Sequence, residues 1–346
     1  MIILGIETSC DETAAAIIQG EKDSKKVKLL SNTIASSLSL HATTGGIIPE
    51  VAAREQVKYI IPVIEKTLKE ISIRDVDAIA VTIGPGLIGS LLIGVETAKT
   101  LAYVFNKPII PTNHLIGHIY ANWIEKENIN SGSIEFPLLS LVVSGGHTDL
   151  VLMTGHEEIN WLGGTLDDAA GEAFDKIGRL LNLPYPGGPS IEKNAKPGDT
   201  KRFNLPKPMI NSDNFDFSFS GLKTATFREI LKLKGINNDK LTQVDIQDIC
   251  ACLQKTIIDI LIYKTLKAAK KYKVKSVLLS GGVSANQNLR TRFNESIKKE
   301  LPSIELFIPN KYLSTDNAAM IATAAFYNYN DVWWKKLTAN PELYFD

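Results

Sequence analysis

An apolar run of strand length, a short polar turn and a second apolar run occur twice in this chain, at its start and again near residue 138. The first set is Ile2–Ile6, Thr8–Thr13 and Ala14–Ile18; the second is Leu138–Val143, Ser144–Thr148 and Leu150–Met153. Runs this short, bounded by turn residues, suit buried strands rather than helices. In the first half a charged turn (Glu21–Lys28) leads to a strand over Leu29–Ala35. A helix over Glu50–Ile71 follows, with an apolar stripe of Val51, Val57, Ile60, Ile61, Ile64 and Leu68. Then come a strand (Ala78–Thr82), a helix (Ser90–Phe105) and a strand (Pro108–Pro111). The second half has helices over Asp168–Leu181, Phe219–Leu233 and Ile246–Tyr272 and a strand over Ser276–Leu279. Its Gly281-Gly282 turn opens another helix near Ser284, and Ile304–Ile308 with Thr315–Tyr327 closes the chain. The halves share no sequence repeat, only an order of elements. That order predicts an α/β protein of two lobes packed around a cleft, each a hairpin-led sheet with helices. Pro184–Pro208, rich in Pro, Gly, Lys and Asn, is expected to be an irregular surface excursion with a rigid turn at Gly187-Gly188.

A chain of 346 residues has room for two domains with substantial cores. Its apolar fraction of 44% and charged fraction of 22% are those of a soluble globular protein. With 38 basic and 38 acidic residues there is no overall field to recruit nucleic acid or membrane, so any such surface must be local. Cys10, Cys250 and Cys252 give neither a disulfide framework nor a paired metal knuckle; Cys250 and Cys252 read as core residues, and a reducing cytoplasm fits. No secretory signal is visible at the N-terminus. The uncharged stretch Ala78–Val95 is broken by Gly84, Pro85, Gly86, Gly89 and Gly94, so it reads as strand, turn and packed helix, with no membrane association.

Chemistry concentrates in the turns and in two histidines. Thr8–Thr13, Ser144–Thr148 and Ser280–Asn286 all sit at strand ends. Adjacent glycines admit a ligand close to the backbone, and converging N–H groups suit phosphate oxygens. Each turn also serves plain hairpin geometry; three together favour a phosphate-bearing ligand. Asp167, Asp168, Glu172 and Asp175 surround one helix start, where the dipole accounts for the first turn and leaves Asp175 to accept from ribose hydroxyls. His114 and His118, at i and i+4, share one helix face at metal-ligand spacing. Zinc peptidases carry a glutamate after the first histidine of such a pair; here Leu115 stands there and cannot take a proton. Asp316 is either a helix cap or the third ligand of an open two-His, one-carboxylate site suited to iron(II), with zinc as the alternative. Lys264–Lys275 holds six lysines and no acid, a solvated helix face or a contact for an RNA backbone.

Seven segments resemble the TsaD family of tRNA N6-adenosine threonylcarbamoyltransferases, formerly called O-sialoglycoprotein endopeptidases. They are Ile6–Thr13 (IETSCDET), Gly45–Glu50 (GGIIPE), His114–His118 (HLIGH), Ser144–Thr148 (SGGHT), Asp167–Lys176 (DDAAGEAFDK), Gly281–Asn286 (GGVSAN) and Ser314–Asn317 (STDN). The resemblance runs from about Ile2 to Tyr327, and the IETSCDET start looks like the bacterial and organellar branch. It implies the two-lobed actin-like and sugar-kinase ATPase fold, with duplicated ribonuclease-H-like domains around a central cleft and the last helix returning to the first lobe, so that the lobes comprise 1–112 plus about 315–346, and about 113–314. The implied reaction passes a threonylcarbamoyl group from its adenylate to the exocyclic amine of the adenosine 3′ of the anticodon, in tRNAs reading A-starting codons. By that match His114, His118 and Asp316 would hold the metal. Val142, Val143, Ser144, Gly145, Gly146, Asp175, Gly188, Glu192 and Asn286 would contact the nucleotide, as threonylcarbamoyl-AMP, ATP or ADP. A TsaB-like paralogue and a TsaE-like ATPase are implied as partners beside tRNA. Thr44 stands where the family often has an aromatic residue before Gly45-Gly46, which removes any stacking role there. The tail beyond Tyr329, with Trp333 and Trp334, carries no transferable motif.

A carbamoyl group joined to AMP is already activated, so no side-chain nucleophile is needed. Asp11 or Glu12, in the first turn, is expected to assist the incoming amine. The rivals are a metallopeptidase, which lacks its base at Leu115; a small-molecule kinase of the same fold, which has no use for the histidine pair; and a non-catalytic scaffold.

Overall fold

The computed structural model describes residues 1–21, 25–125, 132–236 and 240–345, apart from the side chains of residues 43, 44 and 236. Part of the turn expected over Glu21–Lys28, and the Thr44 side chain, lie outside the described residues. The chain divides into two compact units. One comprises Met1–Ile134, Gly155–Ile159 and Pro309–Asp346, the other Glu135–Thr154 and Asn160–Ile308.

In the first unit, β1 (Ile2–Glu7), β2 (Glu12–Gln19) and β3 (Lys28–Ser36) form an antiparallel meander. The chain continues through α1 (Leu38–Thr44), α2 (Pro49–Thr67), β4 (Ala78–Gly84), α3 (Ile88–Phe105), β5 (Ile109–Asn113) and α4 (His114–Tyr120). β4 and β5 add in parallel, giving the order β3-β2-β1-β4-β5. In the second unit the strands are β6 (Leu138–Val143), β7 (Thr148–Met153) and β8 (Ile159–Gly164). Helices α5 (Ala170–Leu180), α6 (Gly187–Ala195), α7 (Ser220–Ile236) and α8 (Gln243–Tyr272) follow. Then come β9 (Ser276–Ser280), α9 (Gln287–Glu300) and β10 (Glu305–Phe307). The order β10-β9-β6-β7-β8 repeats that of the first sheet, element for element. Finally α10 (Ala318–Tyr327) returns to the first unit.

Both faces of the first sheet are covered, which is why its central strands are apolar throughout instead of alternating. Leu4, Ile6, Ile17 and Val81 meet Ile60, Val63, Ile64 and Ala98 of α2 and α3 on one side. Ile3, Ala14, Ala16, Ala80 and Ile110 meet the alanines of α10 on the other. Gly5 lies under α10, and a Cβ there would come 2.3 Å from Ala318 O. The small residues of strand and helix thus set a close approach. α3 is long and apolar enough to cross a membrane, yet its Leu91, Val95 and Ala98 are buried against the sheet.

Four differences from the sequence-based expectation have physical causes. Only two of the six residues of the expected α2 stripe, Ile60 and Ile64, are buried; Val51 and Leu68 are half-buried, and Val57 and Ile61 are 59% and 52% exposed. Pro184–Pro208 is not wholly irregular, since Gly187-Gly188 are the first residues of α6 rather than a rigid turn. Their weak helix propensity is overridden by packing: a Cβ on Gly187 would lie 2.5 Å from Phe174 O, so the glycine lets α6 close on α5. The Gly281-Gly282 turn leads into a short 3-10 turn (Gly282–Ala285), and α9 starts only at Gln287. Lys264 is not on a solvated face but fully buried. Its ammonium donates to Ser212 Oγ (2.7 Å), Asn214 O (3.3 Å) and Asp216 O (2.6 Å), fixing the loop before α7. In the first unit α4 packs on α10: a Cβ on Gly117 would be 2.7 Å from Ile321 Cδ1.

Candidate functional site

β5 delivers the chain to Asn113, whose Oδ1 accepts from Leu115 N (2.8 Å) and Ile116 N (3.3 Å). This N-cap starts α4 at His114, so the two histidines lie one turn apart on the same face. Their ring centroids are 4.7 Å apart. Asp316 arrives from the segment before α10. It is not the cap of that helix; Asn317 is, its Oδ1 accepting from Met320 N at 3.0 Å. Asp316 Oδ1 instead lies 3.2 Å from His118 Nε2 and 3.6 Å from His114 Nε2. One ligand atom from each residue falls within 4.8 Å of the others. Donors around one ion at about 2.0–2.2 Å sit roughly 3–3.5 Å apart, so the cluster needs little adjustment. Among the described residues neither nitrogen of the buried His118 has hydrogen-bond geometry to a partner. A buried imidazole left so is costly unless an ion completes it, and the donor set therefore fits a divalent metal.

Glu7 supplies the support behind His114, a role the sequence reading did not give it. Its Oε2 is 3.1 Å from His114 Nδ1, and it also accepts from Thr82 Oγ1 (2.5 Å) and, through Oε1, from Ser9 N (2.6 Å). Ser9 Oγ lies 3.2 Å from the same imidazole nitrogen. Glu7 is fully buried, and burial would raise its carboxyl, but His114 outweighs this and holds it ionised. Burial would likewise depress His114; Glu7 and Asp316 reverse the sign and raise it to about 9. Burial keeps His118 below the ordinary histidine value. The available signal in the sequence was an acid closing an otherwise apolar strand.

Asp11 and Glu12 lie at the start of β2, in the same unit. Asp11 is buried and its carbonyl accepts from Ser37 N (3.1 Å) and Oγ (3.0 Å). The Glu12 carboxyl is pushed well above its usual value by burial, then by the charges of Asp316 and Asp11. The same influences raise the Cys10 thiol, so it is no nucleophile.

The other expected residues all lie in the second unit, and a chain of contacts joins them. Gly281, at φ +86°, packs where a Cβ would be 2.4 Å from Val143 O, at the end of β6. A Cβ on Gly171 would lie 2.4 Å from Ser144 O, bringing the start of α5 against the Ser144–Thr148 turn. Asp175 Oδ1 accepts from Gly187 N at 2.7 Å, and burial raises its carboxyl. Glu192 Oε1 accepts from Gln287 N at 2.8 Å. Asn286 caps α9 through Leu289 N (2.9 Å) and donates to Gln254 Oε1 (2.8 Å). The start of α5 and the 3-10 turn leading into α9 thus lie by the ends of β6 and β9, with the start of α6 packed on α5. Val142 and Val143 are wholly buried, so only their main chain could meet a ligand. At Gly145, Gly146, Gly188 and Gly282 a Cβ would meet nothing within 4 Å among the described residues, so these backbones border open space. Open glycine amides beside helix starts form a surface suited to phosphate.

The described family of tRNA N6-adenosine threonylcarbamoyltransferases (TsaD) matches residues 28–323. The chain is similar to the tRNA N6-adenosine threonylcarbamoyltransferase of Thermosipho melanesiensis, at 47% identity over 99% of each chain. It is 48% identical to that of Listeria welshimeri, over 93% of this chain and 90% of the relative. With that of Geobacillus thermodenitrificans the identity is 45%, over 99% and 96%. Among solved structures, T. kodakarensis HypF superposes with a TM-score of 0.59 at 13% identity, covering 94% of this chain and 47% of that one, a likeness of fold. Two ribonuclease-H-like sheets of the same order, an intact His/His/Asp cluster and this near-full-length similarity agree. The chain belongs to the tRNA N6-adenosine threonylcarbamoyltransferase family.

Proposed function

We propose that this enzyme transfers a threonylcarbamoyl group from threonylcarbamoyl-adenylate to the exocyclic amine of the adenosine 3′ of the anticodon, in tRNAs reading A-starting codons. The observation that carries the proposal is the His114–His118–Asp316 cluster, standing intact in a chain with such relatives. His114, His118 and Asp316 would hold one divalent ion, iron(II) in the first place and zinc as the alternative. When bound, the ion supplies a Lewis acid for an oxygen of the donor. Glu7 holds the proton at His114 Nδ1, so that Nε2 presents its lone pair on the side of Asp316.

The open amides at Gly145, Gly146 and Gly188 would receive the AMP part of the donor, with Ser144, Asp175, Glu192, Asn286 and the main chain of Val142–Val143 shaping their surroundings. Charge left on AMP as it departs would be offset by those N–H groups. Because the carbonyl is already activated, the chain need only hold the donor, exclude water and take up the proton lost by the amine. Asp11 or Glu12 would assist the incoming amine, and burial with the charges of Asp316 and Asp11 favours the protonated form of Glu12. Leu115, fully buried, cannot supply the base of a zinc peptidase. A TsaB-like paralogue and a TsaE-like ATPase would complete the working assembly in the cytoplasm. The test is incubation of the chain, with and without those partners, with synthetic donor and unmodified tRNA. Formation of threonylcarbamoyladenosine is expected; a phosphorylated small molecule in its place would favour a kinase.

A further inference from the structure

The second unit carries a hollow that the transfer chemistry leaves unused. Asp259, Tyr263, Lys267 and Lys270 recur along one face of α8 at helical spacing. Lys207, from the loop after α6, and Arg292, on α9, close the opposite wall over an apolar floor of Ile262 and Leu266. The enclosed volume is about 430 Å³. Four cations line it against two carboxylates, Asp259 and Glu300. Asp259 is already clasped by three cations: Lys207 Nζ at 2.7 Å, Lys255 Nζ at 2.8 Å, and Arg292. Lys270 is paired with Glu300 at 2.5 Å, but one carboxylate cannot neutralise the three cations on Asp259, so with Lys267 the rim keeps a positive surplus, in a chain whose formal charge is zero. The wall is also well anchored. Lys267 Nζ donates to Ser212 O at 2.7 Å, in the same loop that buried Lys264 fixes from below. Tyr263 stands at the edge, 47% exposed, with a ring face large enough to stack on a base.

A rigid, cationic hollow beside an exposed aromatic ring has the chemistry of single-stranded RNA contact: lysines take phosphates and the ring takes an unstacked base. We infer that this hollow binds the sugar–phosphate backbone of the tRNA substrate, with Tyr263 stacking on one unpaired nucleotide. The inference rests on the proposed tRNA-modifying function. Such a surface adds affinity without reading sequence, which suits an enzyme acting on a set of tRNAs.

The test pairs two measurements on the full-length chain with its partners. Equilibrium binding of unmodified tRNA is followed from low to high NaCl, and steady-state transfer gives kcat and the KM for tRNA. The variants are Lys267→Gln/Lys270→Gln, and Lys207→Gln/Lys270→Gln in case loss of the Lys267 tie loosens the loop. Tyr263→Ala completes the set, and Lys232→Gln on α7 is the control. Each double variant should flatten the log K against log[salt] slope by about 1.4–1.8, at roughly 0.7–0.9 per lost phosphate contact. The KM for tRNA should rise about tenfold, while kcat and the KM for the donor stay within a factor of about two. Tyr263→Ala should raise the KM for tRNA without changing the salt slope. Slopes and KM equal to those of Lys232→Gln would overturn the inference. So would lost binding of AMP or inorganic phosphate with tRNA binding intact, which would make the hollow a small-anion site. Absence of any transfer by the unaltered protein would instead count against the function, while the binding slopes would still decide the hollow.

Discussion

Replacing Glu7 by glutamine changes one atom and removes the support behind the metal cluster. In the native arrangement Glu7 accepts from Thr82 Oγ1, Ser9 N and His114 Nδ1, all in a buried setting. A glutamine offers one accepting oxygen and turns the other position into a donor. With the amide nitrogen towards Ser9 N two donors face each other; turned towards His114, the nitrogen is accepted by Nδ1 only if the imidazole proton moves to Nε2, the atom that faces Asp316. Leaving one such buried group unsatisfied costs about 1–3 kcal/mol, so the metal-free variant should be less stable by that order. The effect on the ion is separable. Loss of the carboxylate removes the partner that fixes the His114 tautomer, and changes of this kind weaken metal affinity about 10–100-fold, or about 1.4–2.7 kcal/mol. Competition against a chromophoric chelator, for iron(II) under anaerobic conditions and for zinc in air, reads the affinity. Thermal unfolding of the metal-free protein reads the stability. Metal affinity equal to that of the unaltered chain, in a folded Glu7→Gln protein, would refute the role of Glu7 as the support of His114.

Three further outcomes follow from the same geometry. In the metal-free protein the raised His114 value of about 9 means the protonated imidazole stabilises the fold. With an unfolded value near 6.5, that contribution should be complete below about pH 6.5, shrink from there to pH 9 and be absent above, an effect of order 3 kcal/mol at most. Urea unfolding at pH 6, 7.5 and 9.5 measures it, and His114→Gln should flatten the profile. Lys264→Met leaves two half-buried carbonyls and a hydroxyl without their donor, so a loss of about 1–3 kcal/mol is expected in chemical unfolding, with metal affinity unchanged. Asn113→Ala removes the cap of α4 and should cost about 1 kcal/mol of stability; it should also weaken metal binding, because His114 is the first residue of that helix.

Much of the scaffold was legible in the sequence because the two sheets are buried on both faces. Leu138–Val143 reads as a strand from its apolar run alone, and its bounds agree with the structure. The histidine pair was legible because i, i+4 spacing survives in any helix. What escaped depended on partners distant in sequence. Gly187-Gly188 looks like a turn until Phe174 is seen packed against it. Asp316 and Asn317 are equally good caps on paper; only the position of α4 shows that Asn317 caps while Asp316 turns to the histidines. Lys264 sits in a lysine run whose other members are at least partly exposed, and its burial follows from three acceptors about fifty residues away. Glu7 belongs to the IETSCDET segment, yet nothing local says that an acid ending a strand will face a histidine 107 residues later.

The most direct test of the transfer site is a single-turnover reaction of synthetic threonylcarbamoyl-adenylate with unmodified tRNA, in the presence of the partners, read by mass spectrometry of the released nucleosides. The unaltered protein should convert one adenosine per tRNA to threonylcarbamoyladenosine, and His118→Ala and Asp316→Ala, folded and still binding tRNA, should lose nearly all of that conversion together with the bound metal. Conversion at the unaltered rate by both variants after metal loss would contradict the assignment of the His114–His118–Asp316 cluster to the reaction.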